Sequence, residues 1–117
     1  MVTVDDVKEL IRSFPEVTEA PHFEKLSFRV NKKILATLTP DGKLLTVKLS
    51  LIDQSAFSSF DKLIIYPVPN KWGAQGWTQI NLEKIRKAML KDAVTAAYCE
   101  VAPSRLSAPF REKYKRL

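Results

Sequence analysis

The chain has 117 residues, 45% of them apolar and 27% charged, a length of about one domain and a composition that excludes intrinsic disorder. Its longest apolar runs, such as Leu63 to Tyr66, fall far short of the roughly 20 residues a membrane span needs, and no signal-like segment opens it; a soluble, cytoplasmic protein with no membrane partner is expected. One cysteine, Cys99, and one histidine, His22, exclude an intramolecular disulfide and leave too few soft ligands for zinc, so no metal and no cofactor is expected. The formal charge of +6 is unevenly placed: residues 1–82 hold ten basic and nine acidic side chains, residues 83–117 nine basic and four acidic. A positive C-terminal third suits a polyanionic partner, through long-range field and counterion release, and equally suits solubility alone.

Thr3 followed by Asp6 resembles a capping box, and Val4, Val7, Leu10, Ile11 and Phe14 recur at helical spacing up to Pro15, which predicts a first amphipathic helix. From Leu26 the period changes to two. Leu26, Phe28 and Val30, then Ile34, Ala36 and Leu38, then Leu45, Val47 and Leu49 alternate with polar residues, with turns at Asn31-Lys32 and Pro40-Asp41-Gly42. This predicts a three-stranded antiparallel meander. Ser50 with Asp53 marks a second helix start, with Ile52, Ala56 and Phe60 as its apolar face, followed by a strand over Leu63 to Tyr66 that Pro67 and Pro69 stop. The loop Pro67 to Gly76 holds two of the three glycines and leads into a strand over Trp77 to Ile80. Asn81 is placed to cap a last long helix with the stripe Leu82, Ile85, Met89, Ala93 and Ala96 and with Lys84, Lys87 and Lys91 opposite. A second stripe, Leu90, Val94, Ala97 and Val101, means either burial on two sides or a new helix starting near Asp92. Pro103 ends it, and a basic tail with room for a short helix after Pro109 follows.

The runs Phe14-Pro15-Glu16-Val17-Thr18-Glu19, Ser27 to Ala36, Tyr66-Pro67-Val68-Pro69-Asn70-Lys71-Trp72-Gly73, Gly76-Trp77-Thr78, Ala97-Tyr98 and Val101-Ala102-Pro103 together resemble the MmcQ/YjbR family (DUF419 type). The resemblance covers roughly residues 4 to 106 and sets a domain over 1–106 and a basic C-terminal tail over 107–117. It implies a small α+β domain of the secretion-chaperone-like, or YjbR-like, kind in the order α-β-β-β-α-β-β-α, which matches the order read from the residues. It also implies a DNA-binding label that rests on hairpin wings and a basic helix, and it brings no shared catalytic residues. One departure lies at the first hairpin, where relatives usually carry glycine and this chain has Val30-Asn31-Lys32-Lys33.

Lys84, Lys87 and Lys91 could lie along a phosphate backbone, because lysine offers a flexible point charge that contacts without reading bases; a solvated helix face explains them as well. Arg105, Arg111, Lys113, Lys115 and Arg116 enlarge the same field. Lys32 and Lys33 sit at one end of the second strand, roughly 20 Å from Lys43 at about 3.4 Å per residue, so only one hairpin tip can belong to a compact patch. Edge lysines also discourage sheet aggregation. Trp72 could stack on a base or seat a partner side chain, while its place in the glycine loop suits pinning that loop to the core; Trp77 reads as packing. His22 lacks a neighbouring nucleophile, Cys99 reads as a small buried hydrophobe, and no phosphate-binding or nucleophile motif is present.

The sequence therefore leads to a single α+β domain with a curved, mostly antiparallel five-stranded sheet carrying helices on one face. Its expected role is a non-catalytic module that binds double-stranded DNA phosphates with little base discrimination through Lys84, Lys87, Lys91, Arg105, Arg111, Lys32 and Lys33. The alternative is a protein-interaction or chaperone-like module with Trp72 at the contact. A small-molecule site beneath the Pro67 to Gly76 loop is the third option and would need a deep pocket with convergent polar groups.

Overall fold

A computed structural model describes residues 2–115, and the side chains of residues 2–111. The capping box is complete: Thr3 Oγ1 accepts from the Asp6 amide at 3.1 Å and Asp6 Oδ2 accepts from the Thr3 amide at 3.0 Å. The helix it starts, α1 (Val4–Arg12), buries Val7 and Ile11. Six strands follow among the described residues: β1 (Thr18–His22), β2 (Lys25–Val30), β3 (Lys33–Leu38), β4 (Leu44–Lys48), β5 (Ile65–Pro67) and β6 (Trp77–Asn81). They form one antiparallel sheet in the order β1-β2-β3-β4-β6-β5, with α2 (Leu51–Phe60) between β4 and β5. The α+β class and the meander are as expected, but the sheet has six strands where five were expected. The added strand, β1, pairs Thr18 through His22 with Arg29 through Lys25. Its sequence, Thr-Glu-Ala-Pro-His, hides it, because a strand at a sheet edge needs neither an apolar face nor every amide, and Pro21 is tolerated there. The opposite edge, β5, likewise ends in a proline, Pro67.

In the β2–β3 pair, Phe28 faces Ala36 but Arg29 faces Ile34, so Leu35 is an extra residue in a β-bulge. Leu35 and Ala36 are both fully buried, and the bulge leaves Ile34 on the opposite face of the sheet together with Thr37.

The last long helix begins later than expected. Asn81 is the final residue of β6, paired with Leu44, and its Oδ1 accepts from the Glu83 amide at 3.0 Å. Its side chain therefore closes a turn over Leu82 to Lys84 rather than capping a helix. Arg86, with extended φ and ψ of −85° and 147°, precedes α3 (Lys87–Val101). Lys84 lies in the turn, so the predicted lysine stripe is not a helical stripe. The two apolar stripes mean burial on two sides of one continuous helix. Leu90, Ala93, Val94, Ala96, Ala97 and Tyr98 are all buried, α3 packs on β3 and β4, and α4 (Ser104–Lys115) packs against it. The boundary drawn after residue 106 falls inside α4, which also contains Pro109. Arg116 lies outside the described residues, and Lys113 and Lys115 lie outside the described side chains.

A cluster at the start of β1 ties these helices together. The Phe14 ring centroid lies 4.8 Å from Tyr98 and 5.1 Å from Phe110, and the buried Tyr98 hydroxyl donates to the Pro15 carbonyl at 2.8 Å. Burial pushes the Tyr98 phenol above its ordinary value. Glu16, in the left-handed region at φ 61°, accepts two bonds from the Arg105 guanidinium at 2.8 and 3.1 Å, and Arg12 pairs with Glu19.

These contacts set the acid response. Hydrogen bonds from Arg105, from Arg12 and from the Thr3 amide lower the Glu16, Glu19 and Asp6 carboxyls respectively. Each group takes up its proton at lower pH in the folded chain than in the unfolded one, so its contribution is complete above the ordinary carboxylate range, about pH 4, and fades as pH falls through the folded values. Denaturation midpoints followed by circular dichroism are expected to fall between about pH 6 and about pH 3, and less so in Glu16→Gln; a midpoint independent of pH would contradict the assignment.

Candidate functional site

The helices pack on one face of the sheet, and the register identifies the other. Ala20, Ser27, Thr37, Thr46, Gln79 and Tyr66 lie opposite one another in successive strands, forming a row across all six. The alternate residues Phe28, Ala36, Val47 and Ile80 are fully buried toward the helices. Apart from Ala20, the row carries hydroxyls and an amide in place of the alkyl groups that a second helical layer would require; Ser27 and Thr37 are buried, and the row's other members are partly exposed.

Charge follows the same division. The strands carry Lys25, Arg29, Lys33 and Lys48, and their one carboxylate, Glu19, lies opposite the buried Phe28 and pairs with Arg12 on the helix side. On the helix-free side, Arg29 Nε donates to Ser27 Oγ at 3.1 Å. Lys48 Nζ donates to the Gln75 carbonyl at 2.6 Å and so anchors the loop between β5 and β6.

That loop returns over the helix-free face. Val68 N donates to the Trp77 carbonyl at 3.0 Å, Asn70 Oδ1 accepts from the Trp72 amide at 2.8 Å, and the Trp72 carbonyl accepts from Gln75 and Trp77 at 3.0 and 3.2 Å. A single 3-10 turn, Gly73–Gln75, closes it. Both loop glycines are needed for close approach: a Cβ at Gly73 would stand 2.0 Å from the Val68 carbonyl oxygen, and one at Gly76, φ 104°, 2.0 Å from that of Leu49. From the helix side, Gln54 Nε2 lies 2.9 Å from the Gly73 carbonyl, 3.2 Å from that of Trp77 and 3.1 Å from Thr78 Oγ1. Gln54 is the buried residue of α2; Ile52 and Phe60, the expected apolar face, are 82% and 74% exposed. The helix docks through an amide and the half-buried Phe57 in place of the Ile52, Ala56 and Phe60 stripe.

Between this loop and the end of the β1–β2 hairpin lies a cleft of about 630 Å³. Thr37, Thr46 and Gln79 from the polar row line it, with Trp72 and Trp77 from the loop side and His22 and Lys25 from the hairpin. Among the described residues no carboxylate lines it. Trp72 is 49% exposed and Lys71 Nζ sits 5.7 Å from its ring centroid, while Trp77 is half-buried. Trp77, expected only to pack, also lines the cleft.

The other sequence-predicted residues scatter. Lys32 and Lys33 stand exposed at the β2–β3 tip, where Asn31 and Lys32 have φ of 52° and 67°, the two positive angles of a type I′ turn. Lys84 is in the turn before α3, Lys91 is exposed on α3, and Lys87 Nζ lies 3.5 Å from Asp6 in a solvent-exposed pair that holds it weakly. Arg105 is engaged by Glu16, and the Arg111 guanidinium donates to the Cys99 carbonyl and to Ser107 Oγ. Cys99 is buried, which pushes its thiol above the ordinary value and keeps it protonated at neutral pH. Sequence reasoning missed Lys25, Arg29 and Gln79 as site residues. Their outward phase in the strands was visible, but that this outward face is uncovered and partly roofed by a loop was not.

An open six-stranded antiparallel sheet with four helices among the described residues, and a tryptophan-bearing loop over its free face, defines a small α+β domain. The YjbR family model matches residues 12–100, and the chain belongs to that family. A crystal structure of Deinococcus radiodurans protein DR2400, with a DUF419 domain, is similar at a TM-score of 0.75 and 21% identity, over 98% of this chain and 89% of that one. At this identity the likeness establishes the fold. No curated protein matches the chain.

Two stability predictions follow from this geometry. Gln54→Ala removes the amide that bridges the Gly73 and Trp77 carbonyls, which keep the Gly76 and Val68 amides as donors, and is expected to lower unfolding free energy by about 1 kcal/mol and to red-shift tryptophan emission as the loop loosens. Lys32→Gly removes a side chain from a left-handed position and is expected to raise stability by about 1 kcal/mol in denaturant titrations.

Proposed function

We propose that this protein is a non-catalytic module that binds DNA by its phosphates, with little base discrimination, through cations of the helix-free sheet face and the β2–β3 hairpin tip. The observation that carries this reading is the partition of charge in the sheet. Lys25 and Arg29 share the phase of Ser27 on the helix-free face, the one strand carboxylate is bound on the helix side, and Lys32 and Lys33 extend the same field at the tip. A carboxylate-free surface rich in cations attracts a polyanion at long range and releases counterions on contact. Lys84, Lys87 and Lys91 add to the field from outside this face. Arg105 and Arg111 add less, because their guanidinium donors are bound within the protein.

The test is fluorescence anisotropy of a labelled DNA over a series of salt concentrations. Log affinity is expected to fall linearly with log salt, and Lys32→Glu with Lys33→Glu to reduce the slope by about 2. Arg111→Gln should leave the slope unchanged. A double variant with wild-type affinity and slope would remove the hairpin tip from the interface.

A second reading, a protein-interaction module, is favoured by one observation. Leu51, Ile52, Phe60 and Leu63 are exposed on and beside α2, next to a cavity of about 670 Å³ whose lining includes Phe57, Ile64 and Met89. If nucleic acid binds on the sheet face, Ile52→Ser with Phe60→Ser leaves its affinity intact; loss of DNA binding in that variant would move the interface to α2.

A further inference from the structure

We infer that the cleft between the Trp72 loop and the β1–β2 hairpin receives an unpaired base of single-stranded DNA, with the Trp72 indole as its stacking surface. That phosphates approach this face rests on the reading above; that a base enters the cleft rests on the cleft's own lining.

Both tryptophans of the chain line this one cleft. Trp72 keeps 49% of its surface exposed although the loop around it is held rigidly, with hydrogen bonds to its amide and carbonyl and with Gly73 and Gly76 pressed against neighbouring backbone. A large aromatic ring fixed at a rim and left half in water offers a π-face with little ordering left to lose on binding. The polar groups beside it, the Gln79 and Asn70 amides and the Thr37 and Thr46 hydroxyls, supply donors and acceptors of both kinds. Such groups can meet a base edge without dictating which base.

Charge selects the rest of the ligand. Lys25 lines the cleft and Lys71 Nζ lies over one face of the Trp72 ring, 5.7 Å from its centroid, so a base that stacks on the indole meets ammonium groups at its flanking phosphates, the Lys71 ammonium moving from the ring to a phosphate where the base takes that face. Among the described residues the lining holds no carboxylate, which disfavours a cationic ligand. A volume of about 630 Å³ lies within the range of sites that enclose small organic groups, roughly 300–1,000 Å³. A base inside a duplex has its π-faces covered by its neighbours, so a stacking cleft selects a strand whose bases can splay out.

The test compares oligothymidylate of about ten nucleotides with an abasic strand of equal length and charge, by anisotropy and by intrinsic tryptophan fluorescence, which reports this cleft alone. Thymidylate is expected to quench emission and to bind about tenfold more tightly than the abasic strand. Trp72→Ala should remove that preference while leaving the salt slope unchanged, and Trp72→Phe should retain most of it. Lys32→Glu with Lys33→Glu should weaken both strands and leave their ratio intact. Equal affinity for the two strands, or a Trp72→Ala variant with wild-type preference, would overturn the cleft assignment while leaving phosphate binding standing. Thymidine monophosphate binding as tightly as the oligomer would overturn the strand assignment in favour of a free nucleotide. Absence of binding by either strand at low salt would overturn both readings.

Discussion

The structure depends on α3 being buried from two sides. Ala93, Ala96 and Ala97 keep its surface low enough for β3 and β4 to approach on one flank and α4 on the other, while Leu90, Val94 and Tyr98 fill the space between. With α3 at the centre, the helices collect on one side of the sheet. The other side is then left to water, and its residues must be compatible with water. The half-exposed Thr46 and Gln79 meet that demand, and the Ser27 hydroxyl, though buried, is hydrogen-bonded to the Ala20 carbonyl and to Arg29. The candidate site is thus a by-product of how the core is closed, and the loop that roofs it is held from the core side by Gln54.

The distribution of charge changes meaning once the chain is folded. In linear order the excess lies in the last third, yet Arg105 and Arg111 fasten α4 to Glu16 and to the end of α3, and Lys87 stands near Asp6. The cations with a common orientation come from the middle of the chain, where the linear balance is close to neutral. Neutrality there is an average of two faces: Glu19 and Arg12 cancel on one side, and Lys25 and Arg29 share the other, with Lys32 and Lys33 at the hairpin tip. Net charge by segment gives the sign of the field but not where it emerges.

What could be read in advance was whatever local chemistry decides. The alternation of Phe28 and Val30 and of Val47 and Leu49, the Thr3 capping box and the Asn31-Lys32 turn are local, and the class, the meander and the hairpin followed from them. Three features are not local. β1 has no apolar alternation, because its hydrogen bonds run to β2 alone and Pro21 occupies an edge. The α3 start was misplaced because an Asn followed by apolar residues caps a turn as readily as a helix, and only the pairing of Asn81 with Leu44 decides between them. The site itself arises where residues far apart in the chain, Lys25, Thr46 and Trp72, meet under a returning loop. The glycines of that loop were visible as permissive residues, but their contacts with the Val68 and Leu49 carbonyls are a tertiary fact.

The prolines at the two rims of the sheet carry a consequence for assembly. Pro21 in β1 and Pro67 in β5 each remove an amide from an outermost strand, at opposite ends of the strand order. Ladder growth by a seventh strand, from another copy or from an extended peptide, would meet a missing donor at either end. Recruitment by strand addition is therefore hampered along both borders, and the surfaces left for a partner are the flat of the sheet and the outside of the helices.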